Sequence, residues 1–245
     1  MAVPPGRRSL VDWFTPFTLS LYEIYVIRIS LPLFWGCSEQ KHLGPLFSKN
    51  FSKRHLDIGV GDGHFPTRAL KDAARKPESQ HLTLADFSEH CLAVAKRRIL
   101  SHYPEVDIRC VLADAGKPFP DFLQNERFDS ASLFLIMHHM PGPTHLKTRA
   151  ITNAKNLLTK EGTSTGCTVL GTEWAKADQG YKKLNERPSR RLASFMLGFY
   201  NKRGMFDNWQ EDPNVIEKAL QNEFEEVETQ VVSMMFVFRA RKPRA

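Results

Sequence analysis

Three glycines at alternate positions, Gly59, Gly61 and Gly63, directly follow the carboxylate of Asp57. Without Cβ atoms, such a turn lets backbone amides approach a ligand closely. A carboxylate at its edge accepts from an ammonium group or orients the turn's own amides, which suits a zwitterionic amino-acid tail. The dinucleotide fingerprint G-x-G-x-x-G needs its third glycine at position 64, which is His64, so a pyrophosphate cofactor is disfavoured. Asp86, 23 residues beyond Gly63, is placed to accept from both hydroxyls of a ribose, and Asp114 to accept from an exocyclic amine such as that of adenine. The pair His138-His139 has two readings. An imidazole with an ordinary pKa of about 6.5 takes the proton of a phenol or enol as a general base. Alternatively the two are a structural pair, one packed on Pro141 and the other satisfied by backbone. His145 adds a third imidazole, but histidines at this spacing on a loop match no recognised metal site, and no metal is expected.

These residues need a scaffold that presents strand ends side by side. Residues 55–58 form a short apolar run into the glycine turn, with Pro66 at a plausible first helical position and helix formers over 67–76. Residues 82–86 read as a second strand, and Ser88 caps a helix whose Leu92, Ala95, Ile99 and Tyr103 recur at helical spacing. The alternation of Val106, Ile108, Cys110 and Leu112 predicts a third strand ending at Asp114. The near-continuous apolar run 131–137 predicts a strand covered on both faces, hence parallel pairing. Thr144 opens a helix to about residue 159, closed by Gly162, and 165–170 is a fifth strand. Ser189 caps a helix with Leu192, Phe195 and Phe199 on one face, Asp212-Pro213 starts another, and 227–238 supplies two last strands. Repeated strand–helix units specify an α/β, doubly wound sheet. Residues 1–50 are expected as a helical N-terminal cap, with the main domain over 51–245 and a substrate-covering segment at about 185–212.

At 245 residues with 42% apolar and 25% charged side chains, the chain has ordinary globular usage for one large domain. Glu23, Arg28, Pro16 and Pro32 interrupt its longest hydrophobic region, so no bilayer-spanning run exists. No secretory signal is recognisable, and a cytoplasmic location is expected. The four cysteines form no C-x-x-C pair and are expected as reduced, buried thiols. The net charge of +7 is spread over short runs and a basic end, Arg239 to Arg244, which is how solvated helix faces and a basic tail usually look.

The glycine turn and three strand-end acids resemble the class I S-adenosylmethionine (SAM) dependent methyltransferases. Residues 55–63, 128–142, 166–171 and 200–208 further resemble small microbial natural-product enzymes of that family, fungal ones in particular. The resemblance implies a Rossmann-like, seven-stranded sheet whose last strand is antiparallel, with SAM as cofactor. It implies that Asp57, Gly59, Gly61 and Gly63 lie near the methionine part, Asp86 on the ribose, and Asp114 with Ala115 near the adenine. Phe87, Phe134 and the N-terminal aromatic Tyr22 complete the expected cofactor set. Tyr22 and Tyr25 either close over the cofactor or merely pack. Departures from the family pattern are Asp62, where Thr is frequent, and Gly36 and Ser38 around Cys37, where Arg and Pro are common.

The expected activity is methyl transfer to an oxygen or carbon of a small, largely apolar acceptor, with His138 or His139 assisting. Phe195, Met196, Phe199, Tyr200, Met205, Phe206 and Trp209 are core, pocket wall, or both. Two alternatives stand beside it: a SAM-binding cyclase or scaffold without methyl transfer, and an RNA or protein methyltransferase. Nucleic acid is disfavoured because no N-P-P-Y or D-P-P-Y follows the fourth strand and the basic runs are scattered. The oligomeric state is left open.

Overall fold

A computed structural model describes residues 23–73 and 76–245. Two segments wound in wide π-type turns, α1 (Glu23–Phe34) and α2 (Glu39–Leu43), lead through α3 (Gly44–Lys49) to the first strand, β1 (Arg54–Ile58). There follow α4 (His64–Asp72), β2 (His81–Asp86), α5 (Glu89–His102), β3 (Asp107–Leu112), α6 (Asp121–Gln124), β4 (Phe128–Phe134), α7 (Thr144–Lys147), α8 (Arg149–Lys155) and β5 (Leu158–Val169). A two-stranded ribbon, β6 (Trp174–Lys176) with β7 (Tyr181–Lys183), precedes α9 (Arg191–Lys202), α10 (Pro213–Glu223), β8 (Phe224–Val232) and β9 (Met235–Pro243).

The main sheet has seven strands in the order β3-β2-β1-β4-β5-β9-β8. Strands β1 to β5 pair in parallel, and β9 inserts antiparallel between β5 and β8. Chain order reverses between β1 and β4, so the crevice of a doubly wound sheet opens above that pair. Two hydrophobic clusters form the core. One joins Ile27, Leu31, Trp35 and Phe47 from the N-terminal helices to Phe134, Leu197 and Tyr200. The other joins Leu56 and Leu133 to Ile151 and Ala154 of α8 and to Ile216 and Leu220 of α10.

Several elements differ from the sequence expectations. Helix α4 begins at His64, with Gly63 in the left-handed region as its N-cap, so Pro66 lies inside the first turn. On β3 the fully buried residue is Val111, while Leu112 is 53% exposed and Cys110 is exposed too. An edge strand has one neighbour, and here Phe119 and Leu123 cover the Val111 face instead. The helix from Thr144 is two short ones, because the Thr148 hydroxyl donates back to the His145 carbonyl. Strand β5 then starts at Leu158, and Gly162 lies within an irregularity of its pairing with β4 rather than at a helix end. The buried face of α9 is Ala193, Leu197 and Tyr200, leaving Leu192 and Phe195 outward. Ser189 does not cap α9: its hydroxyl donates to Glu173. Finally, Arg239 and Arg241 are strand residues of β9 paired with Glu228 and Glu226, so the basic end is no free tail.

Candidate active site

Strand β1 delivers its residues to the crevice through the turn at 59–63, and the geometry requires glycine there. At Gly59, φ is +76° and an added Cβ would lie 1.9 Å from Ile136 Cγ2. At Gly61, φ is +57° and an added Cβ would meet nothing within 4 Å, so the turn borders open space where a ligand can lie against backbone. The Gly59 amide donates to the Ala85 carbonyl at 2.7 Å, tying the turn to β2.

Asp86 ends β2 and joins two pieces of this frame. Its Oδ2 accepts from the Gly61 amide (3.3 Å) and its Oδ1 from the Ser88 amide at the start of α5 (2.9 Å). A carboxylate has about four acceptor positions, so the backbone bonds from Gly61, Ser88 and Phe87 still leave acceptor capacity for a ligand hydroxyl. Burial raises its pKa to about 6 against the pull of the surrounding amides. Asp57 is buried beneath the turn and accepts from the Ser132 hydroxyl at 2.5 Å. Burial raises it to about 7; Ser132 pulls it down and the nearby Asp86 pushes it up. A cation arriving here favours the ionised form of both. Behind Asp57 runs a polar file: His55 Nε2 is 2.9 Å from Ser132 Oγ, and its Nδ1 is 2.7 Å from Ser130 Oγ. Asp62 is held by Arg98 at 2.5 Å, so the acid that departs from the family pattern has its counter-charge on α5.

A cleft open to solvent brings Gly59, Gly61, Asp86 and Phe87 together with Asp114, Ala115, Phe134 and His139. Asp114 turns back one oxygen to accept from the Gly116 amide at 3.1 Å. Asp57, Gly63 and His138 lie outside that lining, and Tyr22 lies outside the described residues. Tyr25 meets Tyr200, hydroxyl to hydroxyl, at 2.5 Å.

The two histidines separate. Leu135, directly after β4, has φ +59°, a costly conformation for a branched side chain, and it turns the chain into the helical turn Met137–His139. His139 reaches the cleft, and its Nδ1–H donates to the Met205 carbonyl at 2.7 Å, which leaves the ring lone pair on Nε2. Burial, with help from the charge of Lys147, lowers its pKa to about 4, so it is neutral at physiological pH. His138 points away, its Nδ1 accepting from the Val169 amide at 3.3 Å. Phe206 meets both rings edge-on, at 4.4 and 5.0 Å between centroids, and packs on Trp35 and Tyr200.

Sequence reasoning missed the roles of Ser132, His55, Ile136 and Lys147, and the grip of Met205 and Asp207 on the histidine turn. The two serines of β4 carried a signal, since polar residues two apart in an otherwise apolar buried strand must find partners. The others left none, because their roles depend on contacts distant in sequence.

Comparison with known proteins places these features in context. Residues 56–162 match a family described as a methyltransferase domain. The chain is 34% identical to O-methyltransferase NEC2 of Pyricularia oryzae over 97% of its length and 94% of that protein. It is 32% identical to the physcion biosynthesis cluster O-methyltransferase of Aspergillus chevalieri, over 98% and 97% of the two chains. Among solved structures, the magnesium protoporphyrin IX methyltransferase of Synechocystis with bound S-adenosylhomocysteine (SAH) superposes with a TM-score of 0.61 at 11% identity, covering 97% and 99% of the chains. That likeness speaks to fold alone.

Proposed function

The chain belongs to the class I SAM-dependent methyltransferases related to fungal natural-product enzymes, and from that premise we propose that it methylates a hydroxyl oxygen of a small, largely apolar acceptor. The cofactor is SAM, which when bound supplies an electrophilic methyl group on a sulfonium. The residues present fit it: backbone without Cβ at Gly61 beside open space, a buried carboxylate at Asp86, and a second acid, Asp114, further along the cleft.

The observation that carries the oxygen reading is His139, neutral at the cleft with its lone pair on Nε2. The acceptor oxygen gains the methyl carbon as the carbon–sulfur bond breaks, the bonding pair stays on sulfur, and the hydroxyl proton passes to His139 Nε2. A base with a pKa of about 4 orients the hydroxyl and receives its proton only as the oxygen becomes positive, late in transfer. Phe206 packs edge-on against the His139 ring, which helps hold its orientation and protects alignment. The proposed acceptor enters the cleft beside His139, whose wall includes Phe134, Ile136 and Met140; Trp35, Tyr200 and Phe206 are buried core residues outside that lining. Relatives named as O-methyltransferases support oxygen over carbon. The pairing of Arg239 and Arg241 with glutamates removes the main basic patch that an RNA substrate would use.

The test is turnover with labelled SAM and a panel of hydroxylated aromatic acceptors, comparing the wild type with His139→Gln. Loss of about 10²-fold in kcat at unchanged SAM affinity supports the reading. Full turnover by the variant from pH 5 to 9 overturns it.

A further inference from the structure

Behind the histidine turn lies a buried cluster that the chemistry above does not use. Lys147, at the end of α7, is 1% exposed, and Glu211 is equally hidden. Lysine is almost never buried unless paired. The Lys147 ammonium donates to the Asp207 carbonyl and lies 3.3 Å from Glu211 Oε2. The other Glu211 oxygen accepts from the Thr168 hydroxyl at 3.4 Å, and that hydroxyl is 3.3 Å from His138 Nδ1.

The same short stretch grips the histidine turn from the other side. The Asp207 amide donates to the His138 carbonyl at 2.9 Å, and Asp207 Oδ2 accepts from the Gly142 amide at 2.7 Å. Met205, two residues earlier, supplies the carbonyl that fixes the His139 tautomer. Thr144 continues the seam, donating to the Gln210 carbonyl and accepting from the Asp212 amide. Lys147 therefore lies where the segment 205–212 is fastened to the turn that carries His139.

We infer that Lys147 and Glu211 are positioning residues for methyl transfer: the buried pair fastens the 205–212 segment to the histidine turn and so holds His139 as a neutral acceptor at the cleft. The inference rests on the reading of His139 as the proton acceptor. A buried ion pair is a poor way to gain stability, since apolar residues of similar volume often do as well or better. Its placement against the turn that carries the cleft's imidazole gives it a different use.

The electrostatics run the same way. The charge of Lys147 lowers both histidines, adding to the larger effect of burial. Burial raises Glu211 to about 7 despite Lys147, so below pH 7 Glu211 gains a proton and leaves the ammonium uncompensated. That is the range in which an ordinary imidazole would become charged. Among the described residues, the other ionisable groups that share the His139 turn, the covering segment or the cleft lining are His138, Asp207, Asp86, Cys91 and Asp114. A charged His139 would lose its lone pair and repel a sulfonium.

The experiment uses the full chain with Lys147→Met, Lys147→Arg and the apolar double variant Lys147→Met with Glu211→Leu. The ¹⁵N signals of His139 are titrated in the protein without added cofactor, and kcat, acceptor KM and SAM Kd are measured from pH 5 to 9. Lys147→Met is expected to move the His139 midpoint up by about one pH unit. It is also expected to lower kcat about tenfold at unchanged SAM Kd, with Lys147→Arg recovering most of the rate. Should Lys147→Met fail to fold, the double variant gives the same readouts. A wild-type titration and wild-type kcat in either apolar variant overturn the inference, as does a change confined to thermal stability. If His139→Gln is slow while Lys147→Met behaves as wild type, only this inference fails; if His139→Gln is fully active, the underlying reading fails with it.

Discussion

Replacing Asp86 by alanine isolates the contribution of one carboxylate to cofactor binding. In the expected pose it accepts from both ribose hydroxyls, and a hydrogen bond to a charged group is worth about 1.5–3 kcal/mol. Two such bonds together amount to about 3–6 kcal/mol, or roughly 10²- to 10⁴-fold in affinity. Two features of the structure place the outcome toward the upper part of that range. The variant also loses the bond to the Gly61 amide, so the turn under the cofactor is less well held. Moreover, with a pKa of about 6, Asp86 is mostly ionised at pH 7.5, so the wild type has a full charge to contribute. The fold has less to lose, because removing a desolvated carboxylate offsets the loss of its bonds to Gly61 and Ser88. Asp86→Asn keeps an acceptor oxygen without the charge and should fall between the two. The assay is calorimetric titration with SAH, whose ribose is that of SAM, alongside thermal melts to confirm folding. A folded Asp86→Ala protein that binds SAH within twofold of the wild type would refute the assignment.

Two further outcomes follow from the same geometry. Gly59→Ala combines a left-handed φ, costing about 1–2 kcal/mol, with a clash against Ile136 that costs about 1–3 kcal/mol; chemical denaturation should show a loss of that order, and an unchanged midpoint would count against the close approach. In the protein without cofactor, Asp57 and Glu211 titrate near 7, above an unfolded carboxylate at about 4, so their burial favours the folded state at low pH and that contribution is lost as pH rises through 7. The lowered histidines act oppositely, their contribution being lost as pH falls below about 6.5, so the clean window is pH 6.5 to 8. Thermal melts should show stability falling across that window; a rise would contradict the buried-acid picture.

The features legible in the sequence are those set locally. Strand ends announce themselves by a change from apolar run to glycine or acid, and the register of Asp57, Asp86 and Asp114 followed from that alone. Features set by distant contacts were not legible. Which histidine faces the cleft depends on the left-handed Leu135 and on a carbonyl 66 residues away at Met205. Which face of β3 is buried depends on its place at the sheet edge, where α6 and its approach cover Val111. The early start of β5 depends on pairing Leu158 with Phe128, which outweighs a helical pattern running to residue 159. The basic end reads as a tail in sequence but is paired in space, because β9 lies inside the sheet and its arginines face the glutamates of β8.

The central claim is transfer of the SAM methyl group to an acceptor oxygen beside His139. Its most direct test is turnover with SAM carrying a ¹³C-labelled methyl group and a phenolic aromatic acceptor, followed by NMR of the isolated product. A single labelled methoxy carbon, formed by the wild type and about 10²-fold more slowly by His139→Gln, is the expected result. A labelled methyl bonded to ring carbon or to nitrogen, or a methoxy product formed at equal rates by both proteins, would contradict the account.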